Sequence, residues 1–544
     1  MQRQYAEKLN DDWRVQRLCA LFAFPLAVLS LVAVPGCKTV LPVNECPSPT
    51  HSVPLSAAAQ WRVPVGSDVR VAEVFFQNPA KHPVTIDAIS LGATPLKLPS
   101  GSSGTADDGG DGPLWWSVRP STTLSPGGCV VATIAFAESP RKTLALEWVA
   151  GDLTNSAAIP RYAAPPRLVT AMVFPGRDAI AVQTVSGTVS PASLSVGGRS
   201  LQFLRLRDGR RGRPDVLVAR LPSSVRDGDV VFIRVDFADG TFRLAAAKAL
   251  AAFPLDVPLA TDVEKKALGV GRNVGVFGLS PDVGCIDLAR HRTGAYIPRL
   301  LADLEKAPPQ DGRLHGAHFC TGAVAATFDL YGPIADAAFS GSSTFEKTDD
   351  PSLRVALAER EFARARDAAR PRPAFWYAGL FRRGGKAYAP AEADAVFWSL
   401  LSLGNRGVKL HTWRGGGRTD GLADIPELRD CVRRWTSVLR KRGKELSALI
   451  PADSFQAGRL TVRTAWNPLS GMLVFWRTAD LAPVGEGAAL RVRRPEWLSP
   501  SRAEDLAAGG RIPFSADGDA LVVDLNPGAS FGAVWFSAHR TTLP

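Results

Sequence analysis

The chain reads as a multidomain α+β protein, with β-rich modules first, an α/β region in the middle and a further β-domain at the end. Three observations predict this. Short apolar runs separated by turn residues fill residues 60–262 and return after 453. Between 263 and 452, short apolar strands alternate with segments of helical period, the pattern of βα units on a mainly parallel sheet. At 544 residues, 46 % hydrophobic and 21 % charged, the chain has globular proportions and exceeds a single core. At roughly 150 residues per domain it holds about three or four domains.

Residues 1–36 read as a signal or membrane-anchor segment. Leu18 to Pro35 is an uncharged run of 18 residues, preceded by Arg14 and Arg17. That is the layout of a secretory leader, and it borders on spanning length. The following Val34-Pro35-Gly36-Cys37 resembles a bacterial lipobox, with Pro35 departing from the small residue usual there. The resemblance implies that Cys37 is lipidated and that the protein is exported to the cell envelope and held on a membrane. The alternative is a transmembrane anchor or an ordinary signal with an incidental cysteine. Residues 37–59, rich in Pro, Ser and Thr, read as a tether.

Residues 60–160 carry strands on either side of Asn78-Pro79, then LWWSV, CVVATIAFA and LALEWVA. This spacing fits an immunoglobulin-like sandwich. Residues 161–262 carry six more strands, punctuated by Asp208-Gly209, Asp227-Gly228 and Asp239-Gly240. Asp-Gly pairs tolerate the positive φ that hairpin turns need. They make this region a second β-sandwich module. Asp236 and Asp239 read as a charged hairpin tip.

Within 263–452 the candidate strands are NVGVFGL, LHGAHF, GPIADAAF, PAFWYAGLF and GVKLHTW. Ile297, Leu300, Leu301 and Leu304 share one helical face. Val396 to Leu403 form a second apolar side. A third helix is expected from Asp424, with Ile425, Leu428, Val432, Trp435 and Leu439 as its core stripe. Residues 453–544 carry LTVRTAW, MLVFWRTA, ALRVRR, ALVVDL and GAVWFSA, and the final stretch suggests an antiparallel hairpin.

The order of modules, together with PAFWYAGLF and the following APAEADAVFWSLLSLGNRGVKLHTW, resembles multidomain glycoside hydrolases with a TIM-barrel catalytic region. The resemblance spans about residues 269–544. It implies a central (β/α) barrel-like domain, a C-terminal β-sandwich and a carbohydrate partner. Such chemistry normally needs two carboxylates at the C-terminal ends of barrel strands. Asp282, Asp287, Asp329, Asp336 and Glu346 are the candidates, with Asp336 and Glu346 as the preferred catalytic pair. His318 and His411 could hydrogen-bond sugar hydroxyls. Trp376, Tyr377 and Trp413 either stack on sugar rings or belong to the core. The loop from Arg414 to Arg418 either meets an acidic substrate or is solvated.

Other classes find no support. The net charge is +12, from 64 Lys plus Arg against 52 Asp plus Glu, but the basic residues are scattered and nucleic acid is not an expected partner. His315-x-x-His318 has no third ligand in view, so no metal is expected. With no Walker loop, dinucleotide fingerprint or nucleophile elbow, no cofactor is expected either. Cys285 and Cys320 either pair or remain free thiols. Two functions stay open: a glycosidase acting on a polysaccharide, or a non-catalytic envelope lipoprotein that binds glycan or serves as a scaffold.

Overall fold

The computed structural model describes residues 55–538, except 103–111, 163–166, 175–176, 186–188, 208–214, 251, 271–276, 308–312 and 321. The leader, Cys37 and the turn at Asp208-Gly209 lie outside the described residues. So does most of NVGVFGL. What is described belongs to one compact unit, Val53–Pro544. None of its described helices is long and apolar enough to cross a membrane.

The first strand, Ser56–Trp61, begins inside the expected tether, because it pairs antiparallel with Arg70–Gln77 along its whole length. These two strands belong to a five-stranded sheet facing a four-stranded one. Trp61, Phe76, Trp116, Phe136 and Trp148 fill the space between. The Asn78-Pro79 turn is fixed by the Asn78 amide, which donates to the carbonyls of His82 (2.8 Å) and Leu124 (3.0 Å). A second sandwich of two four-stranded sheets follows, with Ile180, Val182, Leu217 and Ile233 in its core. Asp236 accepts from Ser193 (2.6 Å) and Arg234 (2.7 Å), so its oxygens serve the hairpin.

The central sheet has five parallel strands: β1 (Leu255–Asp256), β2 (Gly316–Phe319), β3 (Ala337–Ser342), β4 (Ala374–Ala378) and β5 (Asn405–Leu410). Their spatial order is β1-β5-β4-β3-β2. The first strand in the chain therefore neighbours the last, as in a barrel. At the other edge, Phe277 and Asp282 form parallel bridges to Leu314 and His318. Among the described residues no ladder joins that segment to β1. Among the described residues seven helices accompany the sheet: α1 (Asp262–Ala267), α2 (Val283–Ala289), α3 (Ile297–Lys306), α4 (Ala325–Tyr331), α5 (Pro351–Ala369), α6 (Pro390–Ser402) and α7 (Pro426–Leu446).

Two differences from the expected helices have physical causes. α7 starts at Pro426 rather than Asp424, because proline's missing N–H and fixed φ suit a first helical position. Asp424 instead closes a short 3₁₀ turn by accepting from the Gly421 amide (3.0 Å). α5 has no counterpart in the sequence reading. Its buried side includes Arg354, Glu359 and Glu361, so no clean apolar stripe marks it.

The closing sandwich pairs a five-stranded sheet with a three-stranded one. The expected antiparallel hairpin forms at the start of the final stretch, and the last strand leaves it. Ala520–Asp524 pairs with Phe514–Asp517, whereas Phe531–Ala538 crosses to the other sheet and pairs with Gly471–Thr478. The second sandwich shares a core with this domain: Met172, Phe174, Val216 and Val218 cluster with Val462, Met472 and Val474. The whole is thus a multidomain α+β architecture, with a barrel-like parallel sheet among sandwich domains.

Candidate functional site at the C-terminal mouth of the parallel sheet

Side chains alternate across a strand, so each central strand sends every second residue inward. On β4, Ala374, Trp376 and Ala378 join the outer core beneath the helices, while Phe375 belongs to a separate inner cluster. The same parity puts Phe339 inward on β3. Phe277, Phe339 and Phe375 meet edge to face or tilted, with ring centroids 5.0–5.4 Å apart. They form an apolar floor.

One step further along each strand, the inward residues become polar. Asp256 ends β1, His318 lies on β2, Tyr377 on β4 and Lys409 on β5. The rings of His318 and Tyr377 are 4.3 Å apart, and His411 lies 5.3 Å from Tyr377. Lys409 donates to the Ser280 hydroxyl (2.8 Å) and sits 5.8 Å from the ring centres of both Phe339 and Tyr377. Gly341, the inward residue of β3, makes room for this layer. A Cβ there would come 2.1 Å from His318 Nε2.

The electrostatics follow from enclosure. Asp256 is 8 % exposed, and burial raises its pKa against the opposing charges of Lys409 and Lys265. Burial lowers the pKa of Lys409, and Asp256 partly restores it. Tyr377 is pushed up to about 12 by burial, then by Asp282 and Asp256. Burial also lowers the pKa of His318, which favours neutral imidazole at pH 7. Asp256 Oδ1 and His318 Nε2 are buried without a hydrogen-bond partner among the described residues. Buried polar atoms are normally satisfied, so both are poised for a ligand or water.

Of the residues expected from sequence, the structure brings His318, Tyr377 and His411 together. It does not bring together Asp336 and Glu346. Asp336 immediately precedes β3, at the floor end, and Glu346 follows β3 in the turn Thr344–Glu346. The strand between them spans about 20 Å, too far for two carboxylates acting on one bond. Asp336 instead joins modules. It faces Lys248 (3.3 Å) and Arg119 (3.6 Å), and accepts from the His315 amide (3.2 Å). Burial opposes its charge, yet the cations hold its pKa below the ordinary value. Glu346 lies 3.1 Å from Arg383 without hydrogen-bond geometry.

Trp376 is fully buried against Trp435, with ring centroids 5.7 Å apart, and Trp413 is 4 % exposed in the same outer core. Both are core residues: the parity of β4 points Trp376 at the helices, and Trp413, beyond the end of β5, is buried in the same cluster. Asp329 accepts three backbone amides and a hydroxyl from Val65, Gly66 and Ser67. Asp287 accepts from Gly294, Ala295, Thr327 and Tyr331. These two carboxylates tie loops down. Arg414 pairs with Glu264 (2.7 Å). His315 turns toward the backbone, its Nδ1 accepting from the Leu279 amide (3.0 Å).

Sequence reading missed Asp256 and Lys409 as site residues. The signal for Lys409 was present: in GVKLHTW, Gly407, Lys409 and His411 share one parity. Asp256 had no comparable signal, because β1 is only two residues long.

No family model matches the chain, and no curated protein matches it. Among solved structures, 57 chains match. A family 39 glycoside hydrolase from Bacteroides cellulosilyticus is 10 % identical, covering 69 % of this chain and 98 % of that one, with a TM-score of 0.23. An α-fucosidase from Thermotoga maritima is 13 % identical, covering 43 % and 67 %, TM-score 0.23. A type I pullulanase from Bacillus subtilis is 8 % identical, covering 90 % and 100 %, TM-score 0.23. At these scores the likeness identifies neither a family nor an activity.

Proposed function

We propose that the mouth above the phenylalanine floor is a carbohydrate site, and that the protein acts on or recognises a glycan there. The observation that supports this is the convergence of Asp256, His318, Tyr377 and Lys409 on the inner face at the strands' C-terminal ends. A sugar ring presents an apolar C–H face and a rim of hydroxyls that both donate and accept. The Tyr377 ring suits the face, while the Lys409 ammonium, Asp256 Oδ1 and His318 Nε2 suit the rim.

Hydrolysis is the second reading, and Asp256 favours it. A buried carboxyl with a raised pKa holds its proton into the range where it can donate to a leaving oxygen. In this reading Asp256 replaces Asp336 and Glu346 as the candidate acid. The test is a polysaccharide panel, read both by calorimetric binding and by reducing-sugar release. Binding lost in Tyr377→Ala, with release lost in Asp256→Asn, supports the catalytic form. Binding without release supports recognition alone. A panel bound equally well by folded Tyr377→Ala and Asp256→Asn proteins would remove the mouth from the function.

The leader extends the proposal to an exported lipoprotein meeting its glycan outside the cytoplasm. Incorporation of labelled palmitate that is lost in Cys37→Ser tests that part. Incorporation unchanged by the substitution refutes it.

A further inference from the structure

Beside the mouth lies a cluster that the carbohydrate reading does not use. Asp282 immediately precedes α2, Cys285 lies in its first turn, and Cys320 directly follows β2. A carboxylate oxygen of Asp282 and the sulfurs of Cys285 and Cys320 all lie within 4.8 Å of one another. Both cysteines are free thiols of intermediate burial. We propose that these three side chains form a site for one thiophilic divalent cation of the zinc class, on the wall of the mouth.

The geometry is of the right size. Around a tetrahedral zinc with Zn–S of about 2.3 Å and Zn–O of about 2.0–2.2 Å, ligand atoms lie roughly 3.5–3.8 Å apart. Small side-chain adjustments close the observed triangle to that span. The backbone allows the approach: Gly284 lies against the strand end, where a Cβ would meet Cys320 Sγ at 2.9 Å.

The carboxylate is already oriented. Asp282 Oδ1 accepts from the Cys285 amide (3.0 Å), and Oδ2 faces His318 Nδ1 at 3.6 Å. Outer groups of this kind fix a ligand's direction in metal centres. The charge balance points the same way. Without a cation, two thiolates and a carboxylate this close would repel. A dication supplies the missing positive charge, and binding releases thiol protons. Two soft sulfurs select zinc over magnesium or calcium. Three protein ligands leave a fourth position open, the arrangement of reactive rather than purely structural zinc.

The test is cobalt(II) titration of the full chain, reduced and held without oxygen, with zinc(II) as competitor. The expected result is one equivalent of cobalt with thiolate-to-metal charge-transfer absorption in the near ultraviolet, displaced by zinc. Cys285→Ser and Cys320→Ser should each remove that absorption, while Cys129→Ser and Cys431→Ser leave it. Asp282→Asn, which removes a charged ligand, should weaken binding by at least about 10-fold, more than loss of an outer partner typically does. Three results overturn the proposal: no charge-transfer band in wild-type protein whose thiols are titratable; a band that survives Cys285→Ser; or a Cys285–Cys320 disulfide that, once reduced, yields a protein taking up no cobalt. The wild-type measurement stands even if a variant fails to fold.

Discussion

Glu359 is a buried charge held between two guanidiniums. It projects from α5 into the closing sandwich. Its Oε1 accepts from Ser399 (2.6 Å), Arg463 (2.8 Å) and Arg477 (3.1 Å), and its Oε2 from Arg463 (2.7 Å) and Arg477 (3.2 Å). Burial raises its pKa, but the two guanidiniums overcome that and hold it at about 2, against an ordinary 4.5. At about 1.4 kcal/mol for each tenfold change in proton affinity, the carboxylate contributes about 3 kcal/mol at neutral pH. Breaking a buried pair by removing one partner typically costs about 3–5 kcal/mol, so two routes agree.

The sign is that of a depressed carboxyl. The contribution is complete above pH 4.5 and drains away as pH falls towards 2. Glu359→Gln keeps the shape and removes the charge. Urea unfolding of both proteins, followed by tryptophan fluorescence, should show the variant about 3 kcal/mol less stable at pH 7. By pH 3 the gap should shrink to less than half. A gap under about 1 kcal/mol at pH 7, or one that does not change with pH, would refute the reasoning.

Three further outcomes are expected. Gly341→Ala should displace the His318 ring, costing about 1–3 kcal/mol in thermal stability as an overpacked site, and should abolish ligand binding; unaltered binding would mean the imidazole is not in the site. Asp256→Asn should gain rather than lose stability at pH 7, because it removes a carboxyl whose ionised form burial disfavours, with the gain fading as pH is lowered; a clear loss at pH 7 in urea unfolding contradicts the assigned environment. Trp376→Ala should cost about 3–5 kcal/mol as a core truncation, while protein still folded at low temperature binds ligand normally; selective loss of binding would return Trp376 to the site.

The modular order and most strands outside the centre were legible in the sequence, because half-buried strands alternate and Asp-Gly turns announce themselves. The helix at 351–369 was not. Arg354 there pairs with Glu392 (3.0 Å) and Glu359 with Arg463, so charges occupy positions where periodicity looks for apolar residues. Half the site was legible for a related reason. Tyr377, His318 and His411 sit in recognisable strands, and chemistry-bearing residues there draw notice. The error lay in direction. Trp376 and Tyr377 are adjacent, and only the parity of their strand decides that one faces helices and the other the mouth. Asp336 and Glu346 were both expected near one strand end, but the whole of β3 lies between them.

The pairing of β1 with β5 sets a timetable for a chain emerging from the ribosome. Leu255 and Asp256 pair in parallel with Val408 and Lys409, about 150 residues later. At about 5–20 residues per second, β1 waits roughly 8–30 seconds for its neighbour. The outer sheet of the second sandwich waits longer still, since Met172, Phe174 and Val218 are covered by residues beyond 450. An apolar face of a domain that is otherwise ready thus stays open until synthesis is nearly finished. Truncating the last domain would leave that face permanently bare.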